Sequence, residues 1–428
     1  MRKYNLIFTA DQLFLSSKKY NHWRDIQDEY TNYKTSIGFD SLEEFKHYII
    51  FDYKLNEALV AQFLIDFAKS NNNTIEIIIE RLKMKGVLLV NLGSPESPDP
   101  KDVKPYLDEF LMDKYVLDFP YLLRALLVRG IILRKRPEAS GEAYSKIWWP
   151  EGSPLIVISK RVHEKVKQQT EVPVALAMRY GKPSIESGLQ ELYDKGVTDV
   201  LLFPLYPQYA MASTMTIEVL AEEIRAKKFP QMKMTNVPAF YNNPDYIDAL
   251  ADSIKRGVEG FDYDQLVFSY HGIPERHVRK TDKTKSHKKF VTDEMCCTPG
   301  TPAAEFCYRT HCYETTRLVV EKLGIPEGKY YQTFQSRLAG DKWLEPYTDV
   351  EINKMPGKGI KKIAVVTPAF VADCLETLEE IAMRADEDFK EHGGEEFKAI
   401  PCLNEDKLWV DALSKWINEW SQTGKLPA

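Results

Sequence analysis

The segment Ser269-Tyr270-His271-Gly272-Ile273-Pro274 sets an imidazole at the end of the apolar run Gln265–Phe268, with glycine and proline behind it to turn the chain. A neutral imidazole near its pKa can take up a proton, and its lone pair can ligate a divalent metal. A histidine so placed also serves as a plain turn residue, so chemistry needs a partner. One is offered by Pro368-Ala369-Phe370-Val371-Ala372-Asp373-Cys374-Leu375-Glu376-Thr377-Leu378-Glu379-Glu380. If Asp373 opens a helix, then Asp373, Glu376 and Glu380 fall at i, i+3 and i+7 on one face, a row able to hold a metal and pass protons outward. Asp-x-x-Glu also reads as a capping pair. Capping accounts for Asp373 and Glu376 and leaves Glu380 unexplained.

A second chemistry lies in the cysteines. Of six, Cys296, Cys297, Cys307 and Cys312 fall in the segment 279–313, which begins with a basic stretch through Lys289. Thiolates grouped in this way select zinc or an iron–sulfur cluster. The first residues, MRKYNLIFTADQ, carry only a short apolar stretch and read as no signal peptide, which points to the cytosol and favours a metal or redox site over disulfides. Side chains of neighbours such as Cys296 and Cys297 diverge, so their joint ligation would be unusual.

The elements that must position these groups are legible as alternating apolar runs and amphipathic segments from Lys85 onward. Strands are predicted at Val87–Leu92, Val172–Met178, Asp199–Leu205, Lys233–Ala239, Gln265–Tyr270, Tyr330–Phe334, Lys362–Thr367 and Phe397–Pro401. Helices between them include Ile185–Lys195, Thr216–Lys227, Pro244–Val258, Thr315–Leu323 and Leu375–Glu391, while Lys101–Lys104 reads as a charged loop. This alternation predicts an α/β fold with right-handed crossovers and parallel sheets covered on both faces. Element order in 200–254 recurs in the later segment that starts at Ile363, each copy carrying a strand-end proline (Pro204, Pro368). The physical reading is an internal pseudo-repeat of two Rossmann-like lobes, with ligands at the C-terminal ends of the strands; two unrelated α/β segments are the plainer alternative. The expected division is 1–83 as an N-terminal extension, 84–255 as the first lobe, 256–404 as the second with the cysteine-rich insertion 279–313, and 405–428 as a C-terminal helix. Whether 1–83 is a small appended unit or sequence upstream of a start at Met84 stays open.

Composition excludes some classes. A formal net charge of -6 argues against a nucleic-acid binder, which needs a basic face. The apolar region Val116–Leu133 is broken by Asp118, Pro120, Arg124 and Arg129, which argues against a membrane span.

Six segments in order, Asn91-Leu92-Gly93-Ser94-Pro95, Leu205-Tyr206-Pro207-Gln208-Tyr209, Ser269–Pro274, Phe334-Gln335-Ser336-Arg337, Trp343-Leu344-Glu345-Pro346-Tyr347-Thr348 and Glu376-Thr377-Leu378-Glu379-Glu380-Ile381, resemble the motifs of ferrochelatases over about residues 85–425. The resemblance implies a lyase with two chelatase-like lobes that inserts Fe²⁺ into protoporphyrin IX, giving protohaem. It makes His271 the iron ligand and acceptor of pyrrole protons, with Glu376 facing it. Glu380 and Asp373 continue a carboxylate path, and Arg384 stands where some relatives keep a further acid. Arg179, Tyr180 and Tyr209 match positions near the macrocycle, Ser336 one near a propionate, and Leu92 and Trp343 pocket walls. Some ferrochelatases hold a [2Fe–2S] cluster on four cysteines, which here implies Cys296, Cys297, Cys307 and Cys312; zinc with help from His311, and reduced structural cysteines, are the alternatives. The segment Tyr115–Arg136 matches a pocket lip, with peripheral membrane contact or an ordinary buried helix as its two readings. Competing functions are a chelatase for coproporphyrin or another metal, and a non-enzymatic two-lobed binding protein.

Overall fold

The structure, a computed structural model, describes residues 3–70, 72–285, 300–337 and 341–427. At the N-terminus, β1 (Tyr4–Phe8), β2 (Leu13–Ser16), β3 (Thr35–Phe39) and β4 (Thr74–Glu76) form an antiparallel sheet in the order β3-β1-β2-β4. Helices Leu42–Tyr53 and Glu57–Lys69 supply Phe45, Ile49 and Val60 to a core shared with Leu6 and Leu15. Asn56 caps the second helix through Leu59 N–H (2.9 Å) and also donates to the carbonyl of Gly196 on the neighbouring lobe.

The first lobe contains β5 (Lys85–Gly93), β6 (Val174–Tyr180), β7 (Asp199–Pro204) and β8 (Lys233–Asn236), all parallel, in the order β6-β5-β7-β8. The second contains β9 (Gln265–His271), β10 (Tyr330–Gln335), β11 (Lys362–Val366) and β12 (Glu396–Ala399), parallel in the order β10-β9-β11-β12. Each sheet therefore runs second, first, third, fourth. That common order is what a duplicated unit requires. In such a sheet the order reverses between the first and third strands, and the crevice beyond their C-terminal ends is where ligands bind. β5 and β7 open that crevice in one lobe, β9 and β11 in the other.

Two details of packing matter for the site. Gly93, at φ +108°, ends β5 so close to β6 that a Cβ there would lie 1.8 Å from the Tyr180 carbonyl oxygen. The terminal helix Lys407–Thr423 leaves the second lobe and packs in the first: Trp416 lies 6.1 Å from Phe203, and Trp409 lies 5.8 Å from Phe240. A core is thereby shared across both lobes.

The stretch expected as one helix, Leu375–Glu391, is three pieces: a single turn Leu375–Thr377, a π-helix Leu378–Ala385, and an α-helix Asp386–Glu391. Lys101–Lys104 lies in the helix Pro100–Leu111, capped by Asp99, rather than in a loop.

Candidate active site

β9 delivers His271 to the crevice half-buried, its ring 6.1 Å from Phe370 and tilted 71° to it. Nδ1 lies 2.6 Å from the Gly272 carbonyl. A carbonyl only accepts, so Nδ1 carries the hydrogen and Nε2 keeps its lone pair. That tautomer leaves one ring nitrogen to take a proton or a metal.

The acids come from the segment after β11. Glu376 sits in the first helical turn, and Glu380 one turn on in the π-helix, where residues four apart nearly superpose. Burial raises the Glu380 carboxyl; the Ser336 hydroxyl, donating at 2.5 Å, and the nearby His271 oppose this, while Glu376 adds to it. Glu380 thus feels both other groups, which puts His271, Glu376 and Glu380 in one electrostatic cluster.

Asp373 is not in that row. The helix begins after Cys374, and both Asp373 oxygens are committed elsewhere: Oδ1 accepts from Thr377 Oγ1 (2.9 Å) and Cys402 N–H (3.2 Å), and Oδ2 from Asn404 Nδ2 (2.6 Å). Its work is to tie the loop after β12 to the start of the helix. Arg384 pairs with Glu379 at 3.0 Å, and Glu379 also meets Lys146, so the acidic face ends there.

Between the lobes is a narrow cavity of about 20 Å³ lined by Leu92, Ser94, Tyr106, Tyr144, Tyr206, Phe370, Cys374 and Glu376. Burial, with the Glu376 charge adding, pushes up the Tyr106, Tyr144 and Tyr206 phenols and the Cys374 thiol. These four stay protonated around Glu376. The buried Tyr206 hydroxyl and Ser94 Oγ find no hydrogen-bond partner among the described residues, so the cavity offers polar atoms to an occupant. Cys374 and Tyr206 stood inside motifs already noted, whereas Tyr106 and Tyr144 carried no sequence signal.

The profile of the family "Ferrochelatase" matches residues 84–420. The ferrochelatase of Pseudomonas fluorescens (strain Pf0-1) is 47% identical over 329 residues, covering 77% of this chain and 96% of that protein. That of Pseudomonas aeruginosa (strain UCBPP-PA14) is 46% identical over 330 residues, with the same coverage of 77% and 96%. The chain belongs to the ferrochelatase family. It is a lyase that inserts iron into a porphyrin. Among solved structures, SirB from Bacillus subtilis with Fe³⁺ superposes at a TM-score of 0.45 with 13% identity, covering 80% of this chain and 99% of that one, too loosely to assign roles. Residues 1–83 lie outside the matched ferrochelatase region.

The remaining positions marked by the resemblance separate into groups. Leu92 lines the cavity. Trp343 is buried beside Gly272, with Nε1 unpartnered among the described residues. Ser336 is spent on Glu380. Arg179 and Tyr180 belong to a knot around Asp113, which sequence reasoning missed. Asp113 Oδ2 accepts from Arg179 (2.5 Å), Tyr180 (2.8 Å) and Thr216 (2.5 Å), beside a second cavity of about 380 Å³. Tyr209 does not line the narrow cavity; its ring packs edge-on against Phe306 (5.5 Å) and its hydroxyl meets Glu218, a carboxyl that burial raises to about 7.

Cys307 and Cys312 are buried at the start of the helix Tyr308–Leu323, close enough for one thiol to act on the other. Two shielded thiols fit half of a four-thiolate set. Cys296 and Cys297 lie outside the described residues, and among those described no group of three or more His, Cys, Asp or Glu is gathered for a metal. His311 is no zinc ligand in this fold: Nδ1 accepts from Tyr209 N–H (3.1 Å) and Nε2 donates to the Ala304 carbonyl (2.9 Å).

A cross-lobe clamp stands beside the site. Asp118 meets Arg276 and Lys280, from the helix Glu275–Thr281 that follows His271, with His277 at 3.4 Å. Burial lowers His277 to about 4, against the pull of Asp118, and lowers His311 to about 3. Below the ordinary value of 6.5 the unfolded chain takes up these protons and the folded chain does not, so stability falls as pH drops through the window from 6.5 toward 4. The buried Glu218, raised to about 7, acts in the opposite sense over part of that window, so the His277 contribution is read by difference: melting temperature is expected to fall less steeply, or rise more, toward low pH in His277→Gln than in wild type. Parallel melting profiles for His277→Gln and wild type from pH 6.5 to 4 would contradict it.

Proposed function

We propose that this enzyme inserts Fe²⁺ into protoporphyrin IX, with His271 as base and metal ligand and Glu376 as the facing carboxylate. The observation carrying the reading is the free Nε2 of His271 in one electrostatic cluster with Glu376 and Glu380, beyond the ends of β9 and β11. The macrocycle is flat, apolar and rimmed by carboxylates, so it calls for apolar walls with few polar contacts, as Leu92 and Phe370 supply. Two pyrrole protons must leave as the metal arrives, which His271 accepts and Glu380 relays. Puckering the ring to expose its nitrogen lone pairs costs roughly 1–5 kcal/mol, offset by contacts away from the centre. The same assay with protoporphyrin and coproporphyrin, read as loss of porphyrin fluorescence with Fe²⁺, tests activity and substrate together. Faster turnover of coproporphyrin would move the substrate assignment.

In the cysteine segment, Cys307 and Cys312 with Cys296 and Cys297 would hold a [2Fe–2S] cluster, a reading supported by the burial of the described pair. When bound, such a cluster would supply a cross-link between the insertion and the Tyr308–Leu323 helix. Protein purified without oxygen is expected to be red-brown, with visible absorption that Cys307→Ser removes. Colourless protein carrying zinc would overturn this.

For the membrane, the helix Tyr121–Gly130 turns Leu122 (82% exposed) and Leu126 (66%) to solvent, with Tyr121, Leu123 and Ile131 alongside. No helix among the described residues is long and apolar enough to cross a bilayer; it is these exposed apolar side chains that support a lip dipping into the membrane interface. Leu122→Asp with Leu126→Asp is expected to abolish co-sedimentation with anionic vesicles. Wild-type protein that stays in the supernatant would retire the lip.

A further inference from the structure

We propose that Gln335 is a positioning residue for chelation, fixing the turn that carries His271 against the turn that carries Glu376. The inference rests on the reading of those two as the chelating pair. Gln335 ends β10 and is 3% exposed. Its backbone carbonyl accepts from Gly272 N–H at 2.7 Å, and its side-chain Nε2 donates to the Glu376 carbonyl at 2.9 Å. One residue thus grips both turns, by main chain on one side and side chain on the other.

The side chain has no freedom to drift. Its Oε1 accepts from Ser269 Oγ at 2.8 Å, and Ser269 is itself 2.8 Å from Thr348, which donates to Thr333 at 2.8 Å. All of these groups are buried. The close approach at Gly272 explains the glycine: a Cβ would come within 2.7 Å of the Gln335 carbonyl oxygen and 3.3 Å of the Trp343 ring. The far side of the same peptide is held as well, because the Tyr308 hydroxyl donates to the His271 carbonyl at 2.8 Å. The next residue, Ser336, adopts φ +66° and spends its hydroxyl on Glu380. A non-glycine residue in that region stores strain, which persists where the surroundings over-determine it. Residues 335 and 336 therefore set the backbone of one acid and the side chain of the next.

The test compares Gln335→Met and Gln335→Glu with wild type, His271→Ala and Glu376→Gln, in steady-state iron insertion with melting temperatures alongside. Methionine keeps the length and loses the donor. It should lower kcat by about 10- to 100-fold with the porphyrin KM within about twofold, since misplaced reacting groups cost rate more than binding. In Gln335→Glu, the protonated carboxyl can donate to the Glu376 carbonyl and the carboxylate cannot. Its kcat relative to wild type should therefore fall as pH rises, a slope that Gln335→Met lacks. Should the methionine variant fold poorly, the glutamate variant at low pH carries the comparison. A kcat within twofold of wild type for Gln335→Met, a change confined to KM, or a level pH ratio for Gln335→Glu overturns the proposal. If His271→Ala and Glu376→Gln retain activity, the chelating pair itself is misassigned and the brace falls with it. If they lose activity while Gln335→Met keeps it, the brace alone is wrong.

Discussion

Alanine at His271 is expected to lower kcat for iron insertion by about 10²- to 10⁴-fold while protoporphyrin still binds. Two losses coincide in this variant. The Nε2 lone pair is the one nitrogen donor that the 269–274 turn directs at the crevice, so both the proton acceptor and the metal ligand disappear. Porphyrin affinity should hold, because the walls Leu92 and Phe370 stand on separate segments, and Phe370 loses only its edge contact with the imidazole. The fold should hold too, since His271 is half-buried at a strand end and its carbonyl contact to Tyr308 belongs to the main chain. Porphyrin titration by fluorescence and single-turnover insertion separate the two effects. Turnover within tenfold of wild type would remove His271 from the chemistry.

Asp113→Ala is expected to destabilise the protein by about 3–5 kcal/mol, the range for removing one partner of a buried ion pair. Three donors converge on one oxygen of this side chain: the Arg179 guanidinium, the Tyr180 hydroxyl and the Thr216 hydroxyl. Alanine takes that acceptor from all three and leaves Arg179, its side chain only 11% exposed, with the Thr216 hydroxyl at 2.7 Å and a more distant carboxylate, Glu109 at 3.9 Å. Asp113→Asn keeps an accepting oxygen and should cost less. Thermal unfolding of the two variants checks the order. Equal melting temperatures for wild type and Asp113→Ala would show that the knot contributes nothing to stability.

Much of the two-lobed scaffold was readable because buried parallel strands are short apolar runs bounded by turns, and β5, β7, β9 and β11 are of that kind. What escaped reading had other causes. The helix Pro100–Leu111 carries Pro105 and several charges and so looks like a loop, yet Asp99 caps it and Pro100 opens it. The π-helix has no sequence signature, and the α-helical stripe drawn through Asp373, Glu376 and Glu380 kept one residue too many because the helix starts only after Cys374 and the Asp373 carboxylate turns to Thr377, Cys402 and Asn404. In the candidate site, His271 and Glu376 were legible because each lies in a dense local motif. Asp113 was not, because its partners come from positions 179, 180 and 216 and meet only in space. In the N-terminal sheet β4 falls on a β-like run legible at Thr74–Ile79, whereas β1, β2 and β3 were missed, since strands of four or five residues with half-buried patterns give little alternation to detect.

The helix Lys407–Thr423 has a consequence for how the chain is made. Trp409, Trp416 and Trp420 fill the interior of a lobe whose own strands lie between positions 85 and 236. During synthesis that lobe leaves the ribosome long before its last interior side chains exist. It must wait, partly hydrated, until the helix Lys407–Thr423 arrives to seal it. A nascent chain stalled before residue 407 should therefore be digested by protease in both lobes, while the N-terminal sheet, whose interior is already complete, resists.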